Sequence, residues 1–203
     1  MTSTTIVLLN SIERAIGTTI TKDGHIVNKW LEKLEKKNQN LNELNIGIDC
    51  KWDGENTVAI LQICVNSNCL IFQLNHSRYI PWSLVAFLNI PSYTFTGIGI
   101  EETCEKLGYK RALLERNQTS FLSKMVDLGE LAVEKGYCTE DNMGLGLVEL
   151  AEIVLKKKVN DDYQDVGMRR WDEEDLSDNQ VKCACIDGFL AFEIGRVLRE
   201  QKN

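Results

Sequence analysis

The sequence predicts an α/β fold, a mixed β-sheet flanked by helices, in one domain over residues 1–203. Three observations predict it. Short runs rich in Val, Ile and Thr recur early in the chain, as strands require. Three such runs lie close together between residues 45 and 74, joined by polar links too short for anything but an antiparallel meander. From residue 81 onward, strand and helix patterns follow one another, which sets helices against the faces of a sheet.

The elements follow in order. Residues 4–9 (Thr-Thr-Ile-Val-Leu-Leu) and 17–21 are β-branched and short, and read as strands. Asp23-Gly24 marks a turn. Residues 26–37 set Ile26, Val27, Trp30, Leu31 and Leu34 at helical spacing, with Lys33, Lys36 and Lys37 toward the negative end of the helix dipole. The Asn-rich residues 38–45 read as a loop. Residues 45–52, 57–65 and 69–74 read as the three strands of the meander, with Asn66-Ser67-Asn68 as its second link. Residues 81–89 read as a helix opened by Pro81, and residues 93–100 as a further strand. Residues 101–114 read as a helix with Glu101 and Glu102 at its positive end. Helical patterns recur at 127–135, 145–157 and 176–200.

Composition narrows the function classes. With 43% hydrophobic and 26% charged residues, the chain has ordinary globular values, which exclude bulk disorder. Only two prolines occur, and no repeat, low-complexity tract or linker divides the chain. A net charge of −7 argues against indiscriminate coating of a nucleic-acid duplex, because such affinity rests on dense Lys/Arg surfaces. A local basic path remains open: Lys156–Lys157–Lys158, Arg169–Arg170 or Lys110–Arg111, each of which also reads as solvated surface charge. Seven cysteines, an odd number and mostly within apolar runs, point to small hydrophobes in a reducing compartment, the cytoplasm or nucleus. Cys183-x-Cys185 lacks the second Cys/His pair of a zinc site. No basic leader opens the chain, and no apolar run approaches the ~18 residues of a membrane span, so no membrane partner is expected.

Two acids stand out against their surroundings. In strand 45–52, Ile46, Ile48, Cys50 and Trp52 share an apolar face, while Gly47, Asp49 and Lys51 share the other. Asp49 reads either as a carboxylate inside the sheet or as a strand-end acid at its solvent edge. In the last helix, Ala184, Gly188, Ala191 and Gly195 form a stripe of small residues, and Asp187 falls about 60° from its centre at ~100° per residue. Its neighbours there are apolar, and an ionised carboxylate in such company is costly unless paired or metal-bound. Two such acids, one on a strand and one on a helix, make a metal-dependent site the hypothesis to test. Other features fit simpler roles. Asp127 reads as a helix cap, Gly97-x-Gly99 has no third glycine, His25 and His76 are isolated, and Trp52, Trp82 and Trp171 read as core.

These residues sit in segments that resemble the DEDD-type 3′–5′ exonucleases, near the ribonuclease D and Werner-syndrome exonuclease branch. Ile46-Gly47-Ile48-Asp49-Cys50-Lys51-Trp52 resembles the first family motif, G-x-D-x-E-W. Phe95-Thr96-Gly97-Ile98-Gly99-Ile100-Glu101 resembles the second, F-V-G-V-G-I-E. Val126-Asp127-Leu128 with Leu131-Ala132 resembles the D-L-x-x-L-A helix that follows. Trp171, Leu176-Ser177 and Gln180 leading to Asp187 resemble the last, W-x(4)-L-S-x-x-Q…Y-A-x-x-D. The resemblance covers about residues 20–200 and is similar in kind to the small plant proteins that include the RISC-interacting clearing exoribonucleases.

The resemblance implies a ribonuclease H-like fold and hydrolysis at RNA or single-stranded DNA 3′ ends. It implies Mg²⁺ or Mn²⁺ held by four carboxylates, and assembly as a homo-oligomer, a ring-shaped homohexamer. It places Asp49 and Asp187 as catalytic, metal-holding carboxylates. Three aligned positions depart. Lys51 replaces the glutamate of D-x-E, Thr103 the second-motif aspartate, and Cys183 the tyrosine. Glu102 lies one residue from the aligned aspartate and would reach that position after a helix shift. Lys51 and Asp49 share a strand face, so the ammonium is expected to pair with Asp49 where a metal would sit. The set of Asp49, Asp187 and Lys51 sums to about −1 against the +4 of two divalent ions. A second reading follows: an inactive pseudo-exonuclease kept as an oligomeric nucleic-acid-binding or adaptor module.

Overall fold

A computed structural model describes residues 2–9, 14–39, 43–53, 57–100, 102–103, 105, 124–159 and 170–200. Seven strands form one sheet in the order β1-β2-β5-β4-β3-β6-β7. They are β1 (Ser3–Leu9), β2 (Arg14–Thr21), β3 (Leu44–Trp52), β4 (Val58–Val65), β5 (Asn68–Gln73), β6 (Tyr93–Gly97) and β7 (Met125–Asp127). The helices among the described residues are α1 (Gly24–Asn38), α2 (Trp82–Leu88), α3 (Leu128–Glu134), α4 (Leu147–Leu155) and α5 (Asp178–Glu200). Short 3₁₀ turns follow β5 and precede α4.

The sheet is mixed. The β3–β4–β5 meander is antiparallel, whereas β2 joins β5, and β6 joins β3, in parallel. All eight residues of β4 are buried, which suits a continuous apolar run in a central strand covered on both faces. The two covering layers can be read from β2. Thr18 meets Cys185 of α5, while Gly17 and Thr19, facing the other way, line a small pocket with Trp30 and Leu34 of α1.

Several boundaries differ from the sequence reading: the strand expected over 17–21 begins at Arg14, and the helix expected over 145–157 runs from Leu147 to Leu155. The strand expected over 93–100 ends at Gly97, because Gly99 takes a left-handed φ of +59° and turns the chain away. β7 was not anticipated: at three residues it is too short to show a periodicity, and its pairing with β6 alone defines it. α5 starts at Asp178 rather than 176. The helix expected at 101–114 lies mostly outside the described residues.

The helix starts have chemical causes. Asp23 caps α1 by accepting from His25 N at 2.8 Å. Asp127 caps α3 by accepting from Gly129 N at 2.8 Å, and its second oxygen accepts from Gly99 N at 2.9 Å. Ser177 and Gln180 form a reciprocal box before α5: Ser177 N donates to Gln180 Oε1 at 2.9 Å, and Gln180 N to Ser177 Oγ at 3.3 Å. Gln180 Nε2 also donates to Arg170 O at 3.1 Å, tying the Trp171 segment to the helix start.

The small-residue stripe belongs to the core. A Cβ on Gly47 of β3 would run into the Gly188 carbonyl and the Phe192 amide of α5, and one on Gly195 would run into Thr96 of β6. Thr96 Oγ1 donates to Ala191 O at 2.9 Å. Helix and sheet backbones thus approach closely enough that polar side chains on β3 and α5 share one space.

Candidate active site

Asp49 and Lys51 project from β3 on the face that carries Gly47, and Asp187 projects from α5 one residue before Gly188. The close packing at Gly47 brings all three together. Lys51 Nζ stands 2.7 Å from Asp49 Oδ2 and 2.6 Å from Asp187 Oδ2. The side chains of Lys51, Asp49 and Asp187 retain 22%, 17% and 10% of their exposure, so water reaches the group only from one side. The ammonium also lies 6.0 Å from the centre of the Trp171 ring, which is buried.

Apart from Lys51 Nζ at 2.7 Å, Asp49 Oδ2 has no partner among the described residues. Burial raises the Asp49 carboxyl above its ordinary range, against the pull of Lys51 and with the push of Asp187. For Lys51, burial is the largest single influence and favours the neutral amine. Asp49 and Asp187 together override it and hold the ammonium well above its usual pKa. Cys183 donates from Sγ to Asp187 Oδ2 at 3.5 Å, and burial followed by the Asp187 charge pushes its thiol up to about 12.

The triad forms one wall of an open cleft of about 360 Å³. Among the described residues, Ile98 and the first turn of α4, from Gly146 to Glu149, line it as well. Glu149 adds a carboxylate that the sequence reading did not single out. Its Oε2 folds back to within 2.8 Å of where a Cβ on Gly146 would lie. Its position three residues past the helix-capping glycine was the available signal. Gln62 was also missed. It pairs with Asp49 across β3 and β4, is fully buried, and neither end of its amide has a hydrogen-bond partner among the described residues.

The other expected residues fall outside this group. Thr103 is buried near the start of the helical stretch after Gly99, bonded through its backbone N to Gly99 O at 3.2 Å. Glu102 is exposed and does not line the cleft. Trp171 is core, as expected, whereas Trp82 is 68% exposed.

The donor set among the described residues does not match a two-metal centre. Among the described residues no three of His, Cys, Asp and Glu come together as metal ligands. The two carboxylates that do meet are already bridged by an ammonium. No step can be derived through a metal at this triad as it stands.

No protein-family model matches the chain. A Drosophila melanogaster 3′-5′ exonuclease is 29% identical over 183 residues, which covers 86% of this chain and 48% of that protein. The chain therefore spans about half the length of the curated relatives it matches. The structure of Escherichia coli RNase D, an exoribonuclease, superposes with a TM-score of 0.68 at 16% identity, covering 89% of this chain and 44% of that one. This chain has the ribonuclease H-like exonuclease fold. The EXD2 exonuclease domain, soaked in Mn and dGMP, superposes with a TM-score of 0.51 at 22% identity, covering 90% and 88% of the two chains. The likeness to 3′–5′ exonucleases thus holds in sequence and in fold. Within that fold the Lys51 ammonium lies between two acids.

Proposed function

We propose that this protein is a pseudo-exonuclease, a nucleic-acid-binding module on an exonuclease fold in which Lys51 takes the place of a metal ion. The observation that carries this reading is the single ammonium within 2.7 Å of both Asp49 and Asp187. A tethered ammonium meets both carboxylates at every metal concentration. Mg²⁺ sheds its water reluctantly and binds through few carboxylates, so it competes poorly for such a pair. An ammonium held protonated cannot generate hydroxide as a metal does. Cys183, its thiol pushed up to about 12, offers no phenol to position water.

The test combines three measurements. Single-stranded RNA and DNA labelled at the 3′ end should keep their length with Mn²⁺ or Mg²⁺ present. Titration of the protein with Mn²⁺ should give no binding heat. Lys51→Glu should create a Mn²⁺ signal, because it replaces the bridging cation with a third carboxylate. Micromolar Mn²⁺ binding by the unmodified chain would refute the reading.

A second reading is favoured by the sequence relative, named a 3′-5′ exonuclease, and by Glu149 in the same cleft. Under it the chain hydrolyses RNA or single-stranded DNA 3′ ends with Mg²⁺ or Mn²⁺ held by Asp49 and Asp187, and Glu102 joins them after a helix shift. It requires EDTA-sensitive shortening of labelled strands that is lost in both Asp49→Asn and Asp187→Asn.

The proposal extends to assembly as a homo-oligomer, up to the hexameric ring of the plant clearing exoribonucleases. Support comes from the outer edge strand β1, where Ile6 and Leu8 are 68% and 57% exposed. A monomer in sedimentation at micromolar concentration would end that part. A reducing location, cytoplasm or nucleus, agrees with free thiols at all six described cysteines.

A further inference from the structure

A second cleft, of about 560 Å³, opens at the far end of α4 from the Asp49–Asp187 site. Three separate segments supply cations to it: Arg14 at the start of β2, Lys157 just beyond α4, and Arg196 on α5. Val154 and Val197 give it apolar surface, and Glu193 is the one acid among its described lining residues. That acid is already engaged, since Arg196 Nε and Nη2 lie 2.9 and 2.7 Å from its two oxygens. Arg196 Nη1 is held by Glu200 at 2.6 Å. The pairing fixes the Arg196 guanidinium in place. Arg14 and Lys157 are exposed and make no ion pair among the described residues. Lys156, in a left-handed conformation at φ +55°, and Lys158 flank this cleft in sequence.

In a chain of net charge −7, two exposed cations with no ion pair among the described residues, Arg14 and Lys157, set beside the paired Arg196 on one concave surface, require a reason. The lysines partly offset the dipole of α4, whose last carbonyls lie nearby. That role does not explain Arg14, which comes from a different element, or a cavity between them. Placement adds an argument. α4 walls both clefts, its first turn at the Asp49–Asp187 site and its last turn here. From Asp187 to Arg196 is nine residues along α5, about 14 Å at 1.5 Å per residue. A single strand of a few nucleotides spans that distance, since an extended strand advances further per nucleotide than the ~3.4 Å of a duplex.

We propose that this basic cleft binds the phosphate backbone of a single-stranded nucleic acid whose 3′ end reaches the Asp49–Asp187 cleft. The inference rests on the nucleic-acid-binding reading above and adds the surface that carries it. Arg14 and Lys157 pair with phosphates, Arg196 forms the fixed wall, and the sequence of the strand goes unread.

The experiment measures fluorescence anisotropy of a 5′-labelled 12-nucleotide single-stranded RNA with the full chain in EDTA, across a salt series. The double variant Arg14→Glu/Lys157→Glu should bind at least tenfold more weakly. Its slope of log K against log salt should be shallower by about 1.4, for two lost phosphate contacts at ~0.7 each. The charge-matched Lys29→Glu/Lys36→Glu on α1 should bind as the parent does, and both variants should melt within a few degrees of the parent, since each sets one acid near a helix C-terminus. No binding by the parent, equal loss in both variants, or an unchanged slope in the first would overturn the proposal. Equally tight binding of polyglutamate would overturn it too, as it would mark a general polyanion surface. None of these outcomes depends on Mn²⁺ heat or strand shortening, which test the Lys51 reading separately.

Discussion

Replacing Lys51 by Met removes the charge and keeps most of the stem length. Asp49 and Asp187 then face each other without the cation that stands 2.7 and 2.6 Å from them. Breaking a buried pair by deleting one partner costs about 3–5 kcal/mol. Here the three side chains keep 10–22% of their exposure, so water recovers part of that, and the expected loss is about 2–3 kcal/mol at pH 7. In a chain of 203 residues that lowers Tm by about 4–12 °C, at ~2–4 °C per kcal/mol. The sign with pH follows from the shifts. Lys51 is raised in the fold, so its contribution is fully present below the unfolded value of 10.5 and lost only as pH climbs through the higher folded value. Asp49 is raised by burial, so its ionised form already disfavours the fold, and without Lys51 it does so more strongly. The variant's deficit should therefore be largest at pH 7–8 and shrink toward acid pH, where the raised Asp49 carboxyl takes up its proton. Thermal melts of both proteins at pH 4, 5.5, 7 and 8 read this directly. A deficit equal at every pH would mean lost packing of the stem, and no deficit at pH 7 would mean the ammonium is not holding the two acids together.

Three further outcomes follow from the same packing. Gly47→Ala should destabilise by about 3 kcal/mol, because its Cβ meets helix backbone that cannot move aside, whereas Gly188→Ala should be neutral or stabilising. The latter's Cβ meets Cys69, Gln62 and Cys64 at 3.4–3.5 Å, and comparison of the two in urea unfolding checks the pair. Gln62→Leu should raise stability by about 1 kcal/mol, since it removes a buried amide with no partner; a loss in chemical denaturation would reveal a bound water or an unseen bond. Cys183 should resist iodoacetamide at pH 8, because a thiol pushed up to about 12 is almost wholly protonated; rapid labelling there, followed by mass spectrometry, would contradict the Asp187 contact.

Local physics made much of this molecule legible from its residues alone. Alternation along 45–52 put Asp49 and Lys51 on one side of a strand, and the short links after residues 52 and 65 dictated the antiparallel meander. The helix start at Asp127 was readable because its cap is local in sequence, whereas the equally local Ser177–Gln180 box was missed and that helix was expected two residues early. The exonuclease fold came from the resemblance of the motif series to a known family, whereas the residues alone gave an α/β mixed sheet. What tertiary structure alone decided is where charges from distant segments come to rest. A lysine two residues from Asp49 can pair with it on sequence grounds, but that it also reaches Asp187 depends on α5 lying against Gly47. Gln62 opposite Asp49, and Arg14 beside Lys157 and Arg196, have no signature in any short window, and the spacing of Glu149 after Gly146 marks a helix start but not the cleft it lines. Their neighbours are set by the docking of whole helices on the sheet, and electrostatic and solvation energies depend on distances that only that docking fixes.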